Sequence, residues 1–559
     1  MPTSWYQAIP HLLEMVQSEN PSSILDIGVG FGKYGLLLRD MLELPFERYH
    51  KQQWKLKLDG VEVFSEYKNP IHDYIYDHIY YDNIVDIVDK LPHYDVILMI
   101  DIIEHFNKEE GLSLIAKLLK RTKKCLIVST PLYPANIKTY LGSEYDQHKS
   151  RWWELDFVDF DVAYKFIPIG TNGAYIVKIF PTKHHGSYHV RELNYSRNQI
   201  MAENRPLNIG YILPHKKLTG GLKLLLEQMR QLKQRGHNII VLFRGNKGES
   251  VIPEWSNVIV DKEILVPINQ SYVNYIQGCD IVIAGWFEQL PELAQSKVPV
   301  LYLEQGHEFL FGEFVNNANY LKIRQYLKHC YSQPCAIAAV SALISKLLYV
   351  RYNRNAPVIT NGIDTDFYHP GEPPNDNIIL LVGNPTLRFK GFDVALRALE
   401  NLWRAGYRFK VNWVSQVHPQ IHGKISYPIN LNIMPSQEEL ALFYRKADVF
   451  LFTSWYEGFG MPPLEAMASG VPVVATQCGG IEVYAQPGYN SLLADPGDNQ
   501  SLAGALAYLF EDEQTRKLLS IRGRETALQF QWSNVIQQLE GYLYDLVSKE
   551  NKRQRAEKK

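Results

Sequence analysis

Short apolar runs alternate with helical periodicity along the whole chain, and that alternation predicts an α/β protein built from several parallel layers. Residues 22–27 read as a strand and 34–42 as a helix, a second strand closes at Gly60-Val61-Glu62, and further apolar runs begin at Tyr94 and Leu126. Periodicity fades and charges scatter over 184–205, which marks a boundary. A new strand (207–213), a strongly periodic helix (222–235) and another strand (238–243) follow. The runs at 280–284 and 298–303 are apolar throughout, as parallel strands covered on both faces are, and 336–342 with 358–367 closes this part. After a linker rich in proline and acid (370–377), strands are expected at 378–382, 411–414, 431–434 and 448–453, with helices at 392–404 and 436–446, the latter opening on a Ser436-Gln-Glu-Glu439 start that resembles a cap. An amphipathic helix over 532–547 precedes a basic tail at 552–559, for which disorder is expected.

This rhythm divides the 559 residues into a first domain (1–185), a linker (186–205), a second domain (206–370), a third (371–530), and a returning helix with its tail (531–559). A hydrophobic content of 46% with 12% aromatics fits a folded chain. The net charge of −2 supplies no electrostatic ground for binding nucleic acid. Five cysteines form no C-x-x-C pair, so reduced thiols and a cytoplasmic setting are expected. The first residues carry neither a basic n-region nor an apolar h-region. The best candidate for a membrane span, 336–350, is too short and contains Lys346. Peripheral contact with an anionic membrane surface through the basic tail is left open.

The densest chemistry lies between Trp455 and Glu482, where Glu457 and Glu465 flank Gly458-Phe459-Gly460 and the pair Pro462-Pro463. Prolines suit the first turn of a helix, so Glu457 is expected to end a loop and Glu465 to sit in that first turn. Both carboxylates would then converge on a helix N-terminus, a place that favours anions. Carboxylates accept hydrogen bonds from hydroxyls and the helix end accepts phosphate; a sugar nucleotide offers both. The E-x7-E pattern, the following Val-Pro-Val-Val-Ala strand and Gly479-Gly480 resemble the donor site of family 4 retaining glycosyltransferases of the twin-Rossmann (GT-B) architecture. The resemblance implies a nucleotide-diphosphate sugar as donor, retention of configuration and no metal. It implies that Glu465 holds the ribose, Lys390 of Lys390-Gly391 the diphosphate, and Glu457 with the Gly458-Phe459 backbone the sugar. Many relatives carry Arg where this chain has Asn384, leaving Arg388 as the substitute guanidinium or the site with one cation fewer. Gly220-Gly221 would approach the donor phosphates, or simply shape a tight turn. His307, and after it Glu308, are candidates near the sugar or acceptor hydroxyl, against an ordinary loop histidine.

In the first domain, strand, glycine turn and helix come together at Asp26-Ile-Gly28-Val-Gly30-Phe-Gly32. That context suits NAD, FAD or S-adenosylmethionine alike. The segment Asp95 to Phe106, with Asp101-Ile-Ile-Glu104-His105, resembles class I S-adenosylmethionine-dependent methyltransferases. That resemblance implies that Asp26, Gly28, Gly30, Gly32 and Asp101 line the cofactor. Glu62 would grip the ribose, across an insertion over 45–57, and Asp82 would face the adenine, with Asp86 as competitor. His105 is the nearest base for an acceptor hydroxyl, or else a histidine fixed beside Glu104. His148 lies in a polar and aromatic run with Trp152 and Trp153, which reads equally as a sugar-binding lid or as a loop whose tryptophans cover the sheet.

The reading is therefore α/β: a Rossmann-like class I methyltransferase domain followed by a GT-B glycosyltransferase of two Rossmann-like domains. The glycosyltransferase would act on a saccharide or lipid-linked acceptor, and S-adenosylmethionine would be the cofactor of the methyltransferase, acting on a related glycan. Three alternatives stand beside it: a first domain that only docks other proteins, a natural-product glycosyltransferase and methyltransferase, and a glycogen- or sucrose-type metabolic enzyme. The sugar, the nucleotide base and the oligomeric state are not specified by these patterns.

Overall fold

Buried strands, most of them followed by helices or short turns, assemble into a seven-stranded and two six-stranded sheets among the described residues. The computed structural model describes residues 6–132, 147–169, 172–182, 188–196, 205–313, 319–371, 376–421 and 425–557. Within it the chain forms two units, one of Met1–Gly186 with Glu308–Tyr326, the other of Ser187–His307 with Leu327–Lys559.

The first unit holds β1 (Ser23–Ile27), β2 (Lys57–Val61), β3 (His78–Tyr80), β4 (Tyr94–Ile100), β5 (Thr122–Pro131), β6 (Asp161–Ile169) and β7 (Asn172–Phe180). Their order is β3-β2-β1-β4-β5-β7-β6. The first five strands pair in parallel, whereas β7 runs antiparallel to both β5 and β6. The β6–β7 hairpin was not anticipated from the sequence; its second strand is an apolar run interrupted by one lysine. That lysine, Lys178, is buried and pairs with Glu19 at 2.7 Å. Tyr320 joins the same group, donating to Glu19 Oε1 at 2.8 Å. Tyr164 N donates to Gly312 O at 2.8 Å, and Arg324 pairs with Asp161. These contacts tie Glu308–Tyr326 to the first unit, although the sequence reading assigned those residues wholly to the second domain.

The second unit contains two sheets of the same winding. One comprises β8 (Asn208–Ile212), β9 (Asn238–Gly245), β10 (Lys262–Pro267), β11 (Ile281–Ala284), β12 (Val300–Glu304) and β13 (Ala336–Ala339). The other comprises β14 (Ile378–Val382), β15 (Lys410–Ser415), β16 (Ile429–Ile433), β17 (Val449–Phe452), β18 (Val473–Thr476) and β19 (Ser491–Ala494). Both follow the order third-second-first-fourth-fifth-sixth, with every pair parallel. The order reverses between the first and fourth strands, and the loops leaving those two strands diverge to open a crevice at their carboxyl ends. Local signals behave as the sequence suggests: Ser436 and Glu439 cap the helix Gln437–Arg445 reciprocally, at 3.1 and 2.7 Å.

The last helix, Trp532–Glu557, packs along the helix Gly220–Gln234 and β11, and Met461 of the other half packs against its start. Trp532 and Val535 join Leu224 in one buried cluster, and Glu540 accepts from Arg235 at 2.6 Å and His237 at 2.9 Å. It runs on through most of the tail for which disorder was expected, and Gln554 donates to Lys297 O at 3.1 Å. The described part of the expected linker, 188–196, also belongs to this unit, with Tyr195 N donating to Gln538 Oε1 at 3.0 Å. The rest of that linker, residues 144–146 of the loop before His148, residues 372–375 and the final two residues lie outside the described residues. Among the described residues no helix is long and apolar enough to cross a membrane.

Burial works to raise the Glu540 pKa, but hydrogen bonding from His237 and the Arg235 charge outweigh it and hold it below the ordinary 4.5. The stabilisation from this carboxylate is therefore present above pH 4.5 and lost as pH falls through the lower folded value. Glu540→Ala is expected to cost roughly 3 kcal/mol in urea unfolding at neutral pH, since it strands buried partners, and the deficit should shrink in acid. An unchanged unfolding midpoint at pH 7 would show that the helix is held by its apolar face alone.

Candidate functional sites

In the second unit, the loop after β14 lies directly on the end of β17. A Cβ at Gly391, whose φ is +63°, would stand 2.0 Å from Thr453 O, so only glycine permits this approach. The Thr453 hydroxyl donates to Gly391 O at 2.9 Å, and Trp455 N donates to Phe389 O at 2.7 Å. With the loops joined this way, Lys390 Nζ reaches Glu457 Oε1 at 2.6 Å, and the Ser454 hydroxyl donates to the same oxygen at 2.7 Å. The pair stands at the carboxyl ends of the two strands where the order reverses.

Glu465 departs from expectation. The helix Met461–Ala468 does begin with its prolines, but Glu465 is its fifth residue and so lies in the second turn, away from the N–H groups of the helix end. The two carboxylates therefore do not share one helix terminus. Glu465 instead accepts from Tyr444 at 2.7 Å. Burial raises its pKa, with Tyr444, Lys223 and Tyr368 working against that rise. Lys223 comes from the helix Gly220–Gln234, beneath the other sheet of this unit. It is itself lowered by burial and partly restored by Glu465, and it donates to Gln437 Oε1 at 2.8 Å. Sequence reasoning passed over Lys223; the only local sign was one charge in the first turn after the double glycine.

Gln305, just beyond β12, joins the two walls. Its Nε2 donates to Gly221 O at 3.4 Å, and a Cβ on Gly458 would fall 1.9 Å from its carbonyl oxygen. Gly221, Gln305 and Gly458 thus meet where the loops of the two sheets of this unit come together. Gly220 has open space around its Cα. The Phe459 ring is buried against Tyr484 and Phe530 at 5.5 and 6.1 Å, so only its backbone faces the crevice. Arg388 is half-buried, with its guanidinium over the Trp455 ring at 5.9 Å. Asn384 folds back on its own loop, accepting from Thr386 N at 3.0 Å. His307 is buried, stacked on Phe287 at 4.6 Å, with Nε2 2.9 Å from the Tyr331 hydroxyl. Such an anchored ring shapes the wall of the crevice. Glu308 is exposed and groups with the first unit.

In the first unit the order reverses between β1 and β4. Gly28, Gly30 and Gly32 all adopt positive φ in the turn after β1. Asp26 is buried and accepts from the Tyr76 hydroxyl at 2.6 Å. Burial raises its pKa to about 6, the Tyr76 hydrogen bond opposing and the Glu62 charge adding. Despite the insertion, Glu62 meets the glycine turn, accepting from Gly30 N at 2.8 Å and Phe64 N at 2.9 Å. His72, not singled out from the sequence, holds the same turn through Nε2 at 2.9 Å from Gly30 O. Asp82 follows β3 and is exposed, accepting from Asn83 N at 3.0 Å, and Asp86 is exposed in the next short helix. Asp101 follows β4 with a φ of +51°, costly for a residue with a side chain, and its Oδ1 accepts from the Ser129 hydroxyl at 3.2 Å.

Glu104 and His105 follow in the turn Ile103–His105. Glu104 is buried, and burial together with the Asp101 charge pushes its carboxyl well above the usual range. His105 Nδ1 lies 3.2 Å from Gln147 O, and its ring is 5.0 Å from that of His148. Trp152 is buried with Nε1 donating to Ile103 O at 3.2 Å, so it covers the sheet and is no part of a lid. No metal was expected in this chain, yet Glu104, His105 and His148 each offer a ligand atom within 4.8 Å of the others.

The sheets define an α/β protein of Rossmann-like winding, with the Lys390–Glu457 pair at a reversal of strand order. Residues 363–526 match the model of the family described as Glycosyl transferases group 1, a stretch that includes Lys390, Glu457 and Glu465. The chain is 30% identical over 224 residues to an uncharacterised glycosyltransferase of Methanocaldococcus jannaschii, covering 39% of this chain and 62% of that protein. It is 29% identical over 221 residues to a D-inositol 3-phosphate glycosyltransferase of Corynebacterium aurimucosum, covering 35% of this chain and 52% of that protein. The chain thus spans between half and two thirds of the length of these curated relatives. Among solved structures, Anabaena HepE in complex with UDP-glucose aligns at 17% identity and a TM-score of 0.49, covering 61% of this chain and all of that one.

The Asp26 shift has a definite sign. A carboxyl raised from 3.8 to about 6 stabilises the fold fully below pH 3.8, and that contribution is lost as pH rises through 6. Thermal midpoints across pH should therefore show Asp26→Asn gaining on the natural protein between these values. Parallel pH profiles for the two proteins would show that Asp26 keeps an ordinary pKa in the folded state.

Proposed function

We propose that the second unit is a retaining glycosyltransferase that takes a nucleotide-diphosphate sugar and passes the sugar to a saccharide or lipid-linked acceptor. The observation that carries this reading is the Lys390–Glu457 pair at 2.6 Å, at the carboxyl ends of the strands where the order reverses. Breaking a glycosyl phosphate bond leaves negative charge on the departing nucleotide. An ammonium fixed in a partly water-excluded crevice stabilises that charge as it develops. Lys390 has three donors, so a bond to Glu457 and contacts to phosphate oxygens are compatible. Glu457 carries the sugar together with the Gly458-Phe459 backbone. Glu465, oriented by Tyr444, accepts from the ribose, and Lys223 supplies a second cation beside it. Gly220 and Gly221 present main-chain N–H groups to the diphosphate, with Arg388 behind Lys390. His307, anchored by Tyr331, forms the wall nearest the acceptor. The family match over 363–526 and the glycosyltransferase relatives support the same reading.

For the first unit the reading is an S-adenosylmethionine-dependent methyltransferase acting on a related glycan. Its support is the sheet order with a reversed seventh strand, the three positive-φ glycines after β1 and Glu62 at the end of β2. In this reading Asp26 and the glycine turn hold the amino-acid end of the cofactor, Glu62 the ribose and Asp82 the adenine. Asp101 and His105, at the end of β4, face the reacting methyl group.

A screen of UDP-, GDP- and dTDP-sugars should give binding and slow hydrolysis with one nucleotide class. Lys390→Ala should cut kcat by about 100-fold or more with the protein still folded. Failure of every nucleotide sugar to bind would sink the glycosyltransferase reading. Separately, calorimetry of the full chain should register S-adenosylmethionine binding that Asp26→Ala abolishes; no heat with the natural protein would remove the methyltransferase reading and leave the first unit a docking module.

A further inference from the structure

At the carboxyl end of β4, three side chains meet that the cofactor reading does not use together. Glu104, His105 and His148 each present one ligand atom, and these atoms all lie within 4.8 Å of one another. We propose that they form a binding site for a first-row divalent transition metal, whose open position takes a hydroxyl oxygen of the methyl acceptor. Only that last role rests on the methyltransferase reading; the site itself stands on the residues.

The site is built into the fold. Glu104 sits in the short turn that leaves β4, and its Oε2 is buried with no partner at hydrogen-bonding geometry among the described residues. A buried carboxyl oxygen without a partner is rare, and a bound cation would take it as a ligand with the carboxyl deprotonated. His148 arrives from a loop 43 residues beyond His105, and that loop is pinned to the glutamate's own backbone. Lys149 N and Ser150 N both donate to Glu104 O, at 2.7 and 3.2 Å. The Ser150 hydroxyl adds a bond to Phe106 O at 2.6 Å. His105 is oriented by the contact of its Nδ1 with Gln147 O at 3.2 Å, and backbone carbonyls commonly orient ligating imidazoles in this way. The two imidazole rings lie 5.0 Å apart and tilted by 60°, converging on the carboxylate without stacking on each other.

The donor set indicates the ion. Two imidazoles and one carboxylate suit zinc, cobalt, iron or nickel, whereas magnesium and calcium prefer oxygen ligands. Three protein ligands leave at least one position open. A hydroxyl bound there is held in place and releases its proton to solvent more readily than a free one. The oxygen then forms its bond to the methyl carbon as the bond from that carbon to sulfur breaks, leaving a neutral thioether. In this arrangement His105 is a ligand and not the base expected from the sequence.

The test uses the untagged full chain, stripped with a chelator and titrated with Co²⁺, followed by visible absorption and metal analysis. One Co²⁺ per chain is expected, displaced by Zn²⁺ and lost in both His148→Ala and Glu104→Gln. His148 is partly exposed, so His148→Ala should keep the natural circular dichroism and thermal midpoint even if the buried Glu104→Gln does not fold. No uptake by the stripped protein, or uptake unaltered in His148→Ala, overturns the site. Calorimetry with S-adenosylmethionine separates the two readings. Co²⁺ uptake without cofactor binding keeps the site and removes its role in methyl transfer, whereas cofactor binding without Co²⁺ uptake removes the site alone.

Discussion

Reversal of strand order in a parallel sheet is the constraint on which the chemistry of this chain depends. Where neighbouring loops leave in opposite directions, a crevice forms at the strand carboxyl ends, rimmed by main-chain N–H groups and helix starts. The chain makes this arrangement three times, once in the first unit and twice in the second. The Lys390–Glu457 pair lies at such a place, whereas Glu62 leaves the neighbouring β2 beside Asp26, and Gln305, which meets Gly221, leaves β12. Glycine is required wherever two of these loops touch: a side chain at Gly391 or Gly458 would enter a neighbouring carbonyl group.

Charge placed in these crevices is costly, and the structure meets the cost with directed hydrogen bonds more than with ion pairing alone. Ser454 shares Glu457 with Lys390, Tyr444 holds Glu465 opposite Lys223, and Tyr76 holds Asp26. Each carboxylate is therefore fixed in orientation before any ligand arrives. Preorganisation of this kind favours chemistry more than stability, since it removes the reorganisation that water would otherwise have to undergo. The last helix contributes differently: Trp532 and Val535 bury Leu224 with Met461 from the other half, and Glu540 fixes the helix to Arg235 and His237.

Division of the chain into units is less simple than its order in sequence. Residues 308–326 leave the second unit and pack with the first, through Tyr320, Gly312 and Arg324. The described part of the expected linker joins the second unit instead of hanging between the two. Loop insertions that serve another unit carry no mark in their own composition, because what makes them fit is the polar partner elsewhere. Here that partner is Lys178 with Glu19.

Sequence alone determined what local physics controls. Strands buried on both faces read as apolar runs, and 378–382 and the helix 392–404 were placed to the residue. The capping pair Ser436 and Glu439, the proline start of the helix at 461, and the glycine turn after β1 were legible for the same reason. Lys390, Glu457 and Glu465 were visible as chemistry, but the turn on which Glu465 falls was not, since one residue of helix start decides it. Only the tertiary structure decided which distant residues meet: Lys223 with Glu465, Gly458 with Gln305, and His148 with Glu104 and His105. Those meetings depend on the winding of whole sheets and on how loops of fixed length return across them, and no window of neighbouring residues contains that information.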